Sequence, residues 1–118
     1  MPNILIVDDQ LSIQKLFSEE LEDEGYTVES VGDAMSVEEQ IKTQQPDVVL
    51  LDLYLEGFEG WKILREIKSR DPDLPVLILT AYDTYVDDPR VSEADGYILK
   101  SFFHFDKLKQ KIADVLMH

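Results

Sequence analysis

Cysteine is absent from the 118 residues, which excludes a disulfide-stapled scaffold and any thiolate metal centre. Basic residues are scarce: 11 Lys and Arg stand against 25 Asp and Glu, a formal net charge of −14. A surface of that sign repels phosphate backbones and anionic lipid, so direct binding of nucleic acid or a membrane is not expected. It attracts divalent cations and basic partner surfaces. Long apolar runs are missing as well; the longest are a few residues, far below the ~20 that span a bilayer. Met1-Pro2-Asn3 has neither the basic start nor the apolar stretch of a secretion signal. What is present is a hydrophobic fraction of 44% and a charged fraction of 31%, the balance of a globular rather than a disordered chain. The length suits one domain by the usual ~100–200 residues each, and a chain this long buries roughly two thirds of its unfolded surface.

The apolar residues follow two alternating periods. Ile4-Leu5-Ile6-Val7 runs into Asp8-Asp9, Val48-Val49-Leu50-Leu51 into Asp52, Val76-Leu77-Ile78-Leu79 into Thr80, and Tyr97-Ile98-Leu99 into Lys100. Runs this short and rich in β-branched residues read as strands buried on both faces, the signature of a parallel sheet. Tyr26 to Val31 alternates instead, as an exposed strand near an edge would. Between the runs, Ile13, Leu16, Phe17 and Leu21 fall at helix spacing, with Gly25 placed as a stop. Val37 and Ile41 mark a weaker helix over Ser36 to Gln44, ended by Pro46. Leu64 and Ile67 mark another over Trp61 to Ser69. Phe105, Leu108, Ile112, Val115 and Leu116 form an amphipathic stripe in the last one. Tyr82 to Asp95 carries Pro89 and no clear period, so a loop with a short helix is expected there. Strands alternating with helices imply right-handed crossovers and helices on both faces of a parallel sheet.

Ligands of open α/β sheets bind beyond the carboxyl ends of the strands, at the topological switch point. A flavodoxin-like strand order, 2-1-3-4-5, sets the first and third strands side by side. Asp8, Asp9 and Asp52 then converge, flanked by Thr80 and Lys100. Three close carboxylates repel unless a cation neutralises them, and an oxygen-preferring ion such as Mg²⁺ suits that role. One carboxylate is then placed to attack a phosphoryl group, with the lysine and the hydroxyl contacting its oxygens.

On these pieces, together with Ala94-Asp95-Gly96 before the fifth strand, the sequence resembles a receiver domain of the bacterial two-component response regulators, the family that includes the single-domain chemotaxis regulator. The resemblance covers essentially the whole chain. It implies a (βα)5 doubly wound sheet forming one receiver domain over residues 1–118, with no output domain in this chain. Asp52 matches the phosphoacceptor, which takes its phosphoryl group from a histidine kinase, a phosphotransfer protein or a small donor. Asp9, Asp52 and the backbone carbonyl of Tyr54 match the Mg²⁺ site, and Asp8 the acidic residue that holds metal-bound water. Lys100 matches the lysine that pairs with the acyl phosphate. Thr80 matches the hydroxyl that moves toward the phosphoryl group, Ala81 offers a backbone contact to it, and Tyr97 matches the switching aromatic. The implied output is a shift of the face built from the fourth helix, fifth strand and last helix, read by a protein effector. The implied setting is cytoplasmic, and the implied state a monomer or a phosphorylation-dependent dimer.

Several positions depart from the family pattern. Ser101 stands where a proline usually follows the lysine through a cis bond; cis before serine costs ~3 kcal/mol more than trans, and its retention is expected. Glu56-Gly57 replaces a proline-glycine pair. The fourth helix is about two residues short and contains Pro89, so it should be short or begin near that proline. Tyr54 and Tyr82 flank the family's path for hydrolytic water, and two bulky aromatics there predict slow loss of the phosphoryl group.

Plainer readings exist for each residue. An aspartate at a strand end is often a turn or helix cap, and threonine is common in strands. Trp61, Phe102, Phe103 and Phe105 read as packing or interface residues, His104 and His118 as solvated, and Glu19, Glu20, Glu22, Asp23 and Glu24 as a solvated helix face. Asp52 after four apolar residues is the hardest to dismiss, because a buried carboxylate without a partner is costly. Three other functions compete. A flavin-binding domain shares the fold class but needs a hydroxyl- and glycine-rich phosphate loop after the first strand, where Asp8-Asp9-Gln10-Leu11 would repel a phosphate unless metal-neutralised. A degenerate receiver would bind partners without phosphorylation. A haloacid-dehalogenase-like phosphatase would need a second aspartate two residues after the nucleophile, where this chain has Tyr54.

Overall fold

The computed structural model describes residues 2–55, 59–81, 88–100 and 105–117. In chain order the elements are β1 (Asn3–Val7), α1 (Leu11–Asp23), β2 (Thr27–Val31), α2 (Val37–Gln44), β3 (Val48–Asp52), α3 (Glu59–Arg70), β4 (Val76–Thr80), β5 (Gly96–Leu99) and α4 (Phe105–Leu116). Among the described residues, the 3-10 turns Ala34–Ser36 and Pro89–Glu93 precede α2 and β5. The five strands form one parallel sheet in the order β2-β1-β3-β4-β5. The chain runs from β1 outward to β2, then returns to lay β3 on the other side of β1, which puts the switch point between β1 and β3.

The apolar runs end up inside because both faces of the sheet are covered. Leu5, Val7, Val49, Leu51, Val76 and Ile78 point to one side, where they meet Val37 of α2 and Trp61, Leu64 and Ile67 of α3. Ile4, Ile6, Val48, Leu50, Leu77 and Leu79 point to the other, against Ile13, Phe17 and Leu21 of α1 and Leu108 and Ile112 of α4. Side chains of a strand alternate between faces, so consecutive apolar residues are needed only where both faces are buried. Each fully buried Leu, Ile or Val contributes roughly 1.5–3 kcal/mol over its exposed state. Phe105 docks α4 onto α1 edge-on to Phe17, ring centroids 5.4 Å apart at 76°. This is the packing role expected of it; Trp61, 7% exposed, has one too.

The helix stops follow the expected chemistry. Gly25 takes φ 97° after α1, a left-handed conformation that glycine adopts without steric cost. Gln45, φ 53°, closes α2 just before Pro46. In the fourth connection Pro89 opens the Pro89–Glu93 turn, and the Asp88 carboxylate accepts from the Arg90 N–H at 2.9 Å. Proline fits there because a first-turn N–H has no partner to lose, so among the described residues the expected short fourth helix is a 3-10 turn beginning at Pro89.

Two expectations need correction. β5 is an edge strand rather than one buried on both faces: Ile98 is buried, but Leu99 is 41% exposed. The acidic run at the end of α1 is also not wholly solvated. Lys109 of α4 sits 3.2 Å from Glu20 and 3.2 Å from Glu24. The two glutamates share one side of α1 by their spacing of four, and α4 packs alongside. Glu56-Gly57, Tyr82, Ser101, Phe102, Phe103, His104 and His118 lie outside the described residues, and with them the expected cis bond and the readings made of those side chains. Among the described residues no helix is long and apolar enough to cross a membrane.

Candidate functional site

The parallel register brings the strand ends together. Val7 pairs with Leu51, so Asp8 and Asp9 emerge beside Asp52 at the end of β3. Asp52 pairs with Leu79, the residue before Thr80. Thr80 pairs with Leu99, and its carbonyl accepts from the Lys100 N–H at 2.7 Å. Five residues scattered between positions 8 and 100 thus meet at one sheet edge, as the strand-end pattern predicts.

Carboxylate oxygens of Asp8, Asp9 and Asp52 all lie within 4.8 Å of one another. Asp8 is fully buried, Asp52 is 2% exposed, Thr80 is 2% exposed, and Asp9 is on the surface. The Lys100 ammonium enters this cluster 2.6 Å from Asp8 Oδ2 and 3.3 Å from Asp52 Oδ2. It also donates to Gln10 Oε1 at 3.3 Å. The approach to Asp8 is close but off hydrogen-bond alignment, so Oδ2 is a buried oxygen with a charge partner and no hydrogen-bond donor. Asp52 Oδ1 accepts from the Tyr54 N–H at 3.0 Å, and Asp8 Oδ1 from the Gln10 N–H at 2.9 Å.

These contacts leave the site short of positive charge. Three carboxylates against one ammonium give −3 + 1 = −2, the charge that one divalent cation cancels. Burial, first of all, pushes the Asp52 carboxyl above its ordinary range, and the Asp8 charge adds to the rise. The Tyr54 N–H and the Lys100 ammonium act against it. A donor set of carboxylate oxygens alone, with an uncancelled negative charge, fits a hard ion such as Mg²⁺.

The remaining sequence-predicted positions sit around this cluster. Tyr54 is half-buried just past β3, and Ala81 is exposed just past β4. Tyr97 is half-buried against the core beneath α2 and α3, the partial packing expected of it. Sequence reasoning missed three contributors: Gln10 and Gln14, which tie down the loop after β1, and Gly60. A Cβ at Gly60 would lie 2.6 Å from the Asp52 carbonyl oxygen and 2.6 Å from Leu53 Cα. Only a residue without a side chain lets α3 press so closely on the backbone beyond Asp52. The sequence offered little signal, because the helix pattern starts at Trp61 and leaves Gly60 just before it; the structure makes Gly60 the second residue of α3.

Comparison with known proteins points the same way. A family model described as response regulator receiver domain matches residues 4–113. The response regulator MprA of Mycobacterium ulcerans is 35% identical over 103 residues, covering 84% of this chain and 44% of that protein. The virulence transcriptional regulatory protein PhoP of Salmonella typhimurium is 31% identical over 114 residues, covering 95% of this chain and 50% of that protein. The chain thus spans about half the length of the curated relatives it matches. Among solved structures, the response regulator protein TrrA of Thermotoga maritima superposes with a TM-score of 0.91 at 35% identity, covering 98% of this chain and 99% of that one. That crystal contains Mg²⁺-BeF, and TrrA has also been solved in complex with the histidine kinase ThkA.

Proposed function

The chain belongs to the response regulator receiver domain family, and from that premise we propose that it is a phosphorylation-controlled switch whose phosphoacceptor is Asp52. The observation that carries the reading is the buried Asp52 carboxylate facing Lys100 at 3.3 Å, inside a cluster of three carboxylates. An oxygen of Asp52 attacks the phosphorus of a phosphohistidine or a small acyl phosphate. The P–N or P–O bond to the donor breaks, and its electron pair leaves with the donor. Burial leaves the attacking Asp52 oxygen with little hydration to shed. Lys100 offsets the charge of the phosphoryl oxygens, and the Thr80 hydroxyl and the Ala81 N–H contact them at the adjoining strand end. Mg²⁺, when held by Asp9, Asp52 and the Tyr54 carbonyl with Asp8 acting on its water, supplies the missing neutralising charge. The Mg²⁺-BeF complex of TrrA supports that choice of ion.

The partner that delivers the phosphoryl group is a histidine kinase or phosphotransfer protein; the TrrA–ThkA complex supports this. In this reading the domain's only chemistry is phosphotransfer onto Asp52 and its hydrolysis. The output is a population shift. When Thr80 and Lys100 turn to the phosphoryl group, the contact from the Lys100 N–H to the Thr80 carbonyl couples the ends of β4 and β5. Tyr97, half-buried on β5, repacks, and the face formed by the Pro89–Glu93 turn, β5 and α4 changes for a protein effector.

Incubation with acetyl phosphate, with and without Mg²⁺, read by intact mass, tests the proposal. A Mg²⁺-dependent phosphoryl adduct that disappears in Asp52→Ala is the expected result. An adduct that survives the substitution would sink the assignment of Asp52. No adduct from acetyl phosphate or from a phosphorylated kinase, together with no Mg²⁺ binding, would favour a phosphorylation-independent interaction module.

A further inference from the structure

We propose that Gln14 is a positioning residue for the divalent-cation site, holding the Asp8–Asp9 backbone at the angle the ion requires; the inference rests on the Mg²⁺-dependent reading above. Gln14 lies at the start of α1 and is half-buried. Its side-chain amide bridges the ends of two strands. Nε2 donates to the backbone carbonyl of Asp8, and Oε1 accepts from the Ser30 hydroxyl at 3.1 Å. The orientation follows from chemistry: a backbone carbonyl only accepts, so the amide nitrogen faces Asp8 and the oxygen is left for the hydroxyl.

The other polar groups of Asp8 are held differently. Its N–H donates to the Val31 carbonyl at 3.1 Å, continuing the β1–β2 ladder. Oδ1 accepts from the Gln10 N–H at 2.9 Å, and Oδ2 faces Lys100 at 2.6 Å. The carbonyl is therefore anchored by an uncharged side chain from outside the acidic cluster. That carbonyl belongs to the planar peptide joining Asp8 to Asp9. Anchoring it sets the rotation of the peptide, and with it the direction of the Asp9 side chain. Asp9 is exposed, so its aim depends on the backbone beneath it.

Two neighbours keep the amide in place. Ser30 sits in β2 opposite Ile6, so the ladder holds its backbone and keeps its hydroxyl within reach of the amide. Gly32 leaves the room: a Cβ there would lie 3.2 Å from Gln14 Nε2 and 3.7 Å from the Asp8 carbonyl. Mg²⁺ demands near-ideal octahedral geometry, so small rotations of a ligand-bearing loop register as lost affinity. Hydrogen bonds that orient metal ligands are worth about 10–100-fold in affinity.

The experiment is Mg²⁺ titration by calorimetry on the unaltered protein, Gln14→Leu, Gln14→Arg and Ser30→Ala, alongside acetyl phosphate labelling at saturating Mg²⁺. Gln14→Leu removes both hydrogen bonds at similar volume and is expected to weaken Mg²⁺ binding by about 10-fold, with labelling at saturating Mg²⁺ unchanged. Gln14→Arg keeps a donor toward the Asp8 carbonyl and should recover most of the affinity. Ser30→Ala, a milder change that serves if Gln14→Leu does not fold, should shift affinity in the same direction by less. Affinity in Gln14→Leu equal to the unaltered protein's would overturn the proposal while leaving the phosphoacceptor reading intact. So would a labelling rate that stays low at saturating Mg²⁺, which would assign Gln14 to the fold or the chemistry instead. Failure of the unaltered protein to bind Mg²⁺ at all would remove the underlying reading and this proposal together.

Discussion

Replacing Lys100 with methionine tests the electrostatics of the site most directly. The ammonium lies within 3.3 Å of both buried carboxylates, Asp8 and Asp52. Methionine fills similar space without charge. Two carboxylates whose oxygens approach within 4.8 Å repel by ~3 kcal/mol at an effective dielectric of ~20. Removing one partner of a buried ion pair costs a similar ~3–5 kcal/mol. Taking ~3 kcal/mol, and ~4 °C per kcal/mol for a chain of this size, Tm in Mg²⁺-free buffer should fall by about 10–15 °C. Mg²⁺ should then return much of the loss, because an ion at ~100 times its Kd stabilises by ~2.7 kcal/mol. The Mg²⁺-induced rise should be larger in Lys100→Met than in the unaltered protein, whose lysine already supplies part of the neutralisation. Acid should narrow the gap as well. Burial holds the Asp52 carboxyl above its ordinary value, so the folded state binds that proton more tightly than the unfolded chain does. Its contribution is full below the unfolded value and is lost as pH rises through the folded one. Without the lysine this effect grows, so the deficit should be greatest near neutrality and shrink toward about pH 4. Differential scanning calorimetry with EDTA and with Mg²⁺ reads all of this. A Mg²⁺-free loss under ~1 kcal/mol, or equal Mg²⁺ shifts in the two proteins, would refute the reasoning.

Three further outcomes can be measured, the first two resting on this geometry and the third on the sequence alone. Asp52→Asn should abolish the phosphoryl adduct yet raise Tm in Mg²⁺-free buffer at neutral pH, since it removes a charge that burial disfavours; a lower Tm would contradict that balance. Gly60→Ala, at the second position of α3, gains less than the ~1 kcal/mol of an interior site in helix propensity, but its Cβ would meet the Asp52 carbonyl and Leu53 Cα at 2.6 Å each. Overpacking of ~1–3 kcal/mol should make the net effect a lower Tm with weaker Mg²⁺ binding, and an unchanged protein would show that α3 yields more easily than its packing suggests. Tyr54→Asn combined with Tyr82→Glu should speed loss of the phosphoryl group, measured by the decay of the labelled mass; an unaltered rate would end the idea that these aromatics exclude water.

The unaided sequence determined the layered architecture and the placement of the acidic edge. The reason is physical: a strand buried on both faces must be apolar at consecutive positions, so Val48 to Leu51 and Val76 to Leu79 are legible as parallel strands without a structure. Asp52 and Thr80 stand at the ends of those runs, and the crossover rule sends all such ends to one edge. Pro89 likewise marked the fourth connection, because proline is tolerated only where a helical turn begins.

Tertiary structure alone decided what each end group touches. No local pattern tells that Lys100 lies nearer to Asp8 than to Asp52, since that depends on how β5 sits on the edge of the sheet. Leu99 resembles a core residue in its run, yet on β5, the outermost strand among the described residues, it is 41% exposed. Lys109 reaches Glu20 and Glu24 only because α1 and α4 share a face. The contacts of Gly60 on the backbone after Asp52, and of Gln14 on the carbonyl of Asp8, are of the same kind. Periodicity reports which side of an element is buried, but contact partners, close approaches and shifted ionisation arise only when distant segments are brought together.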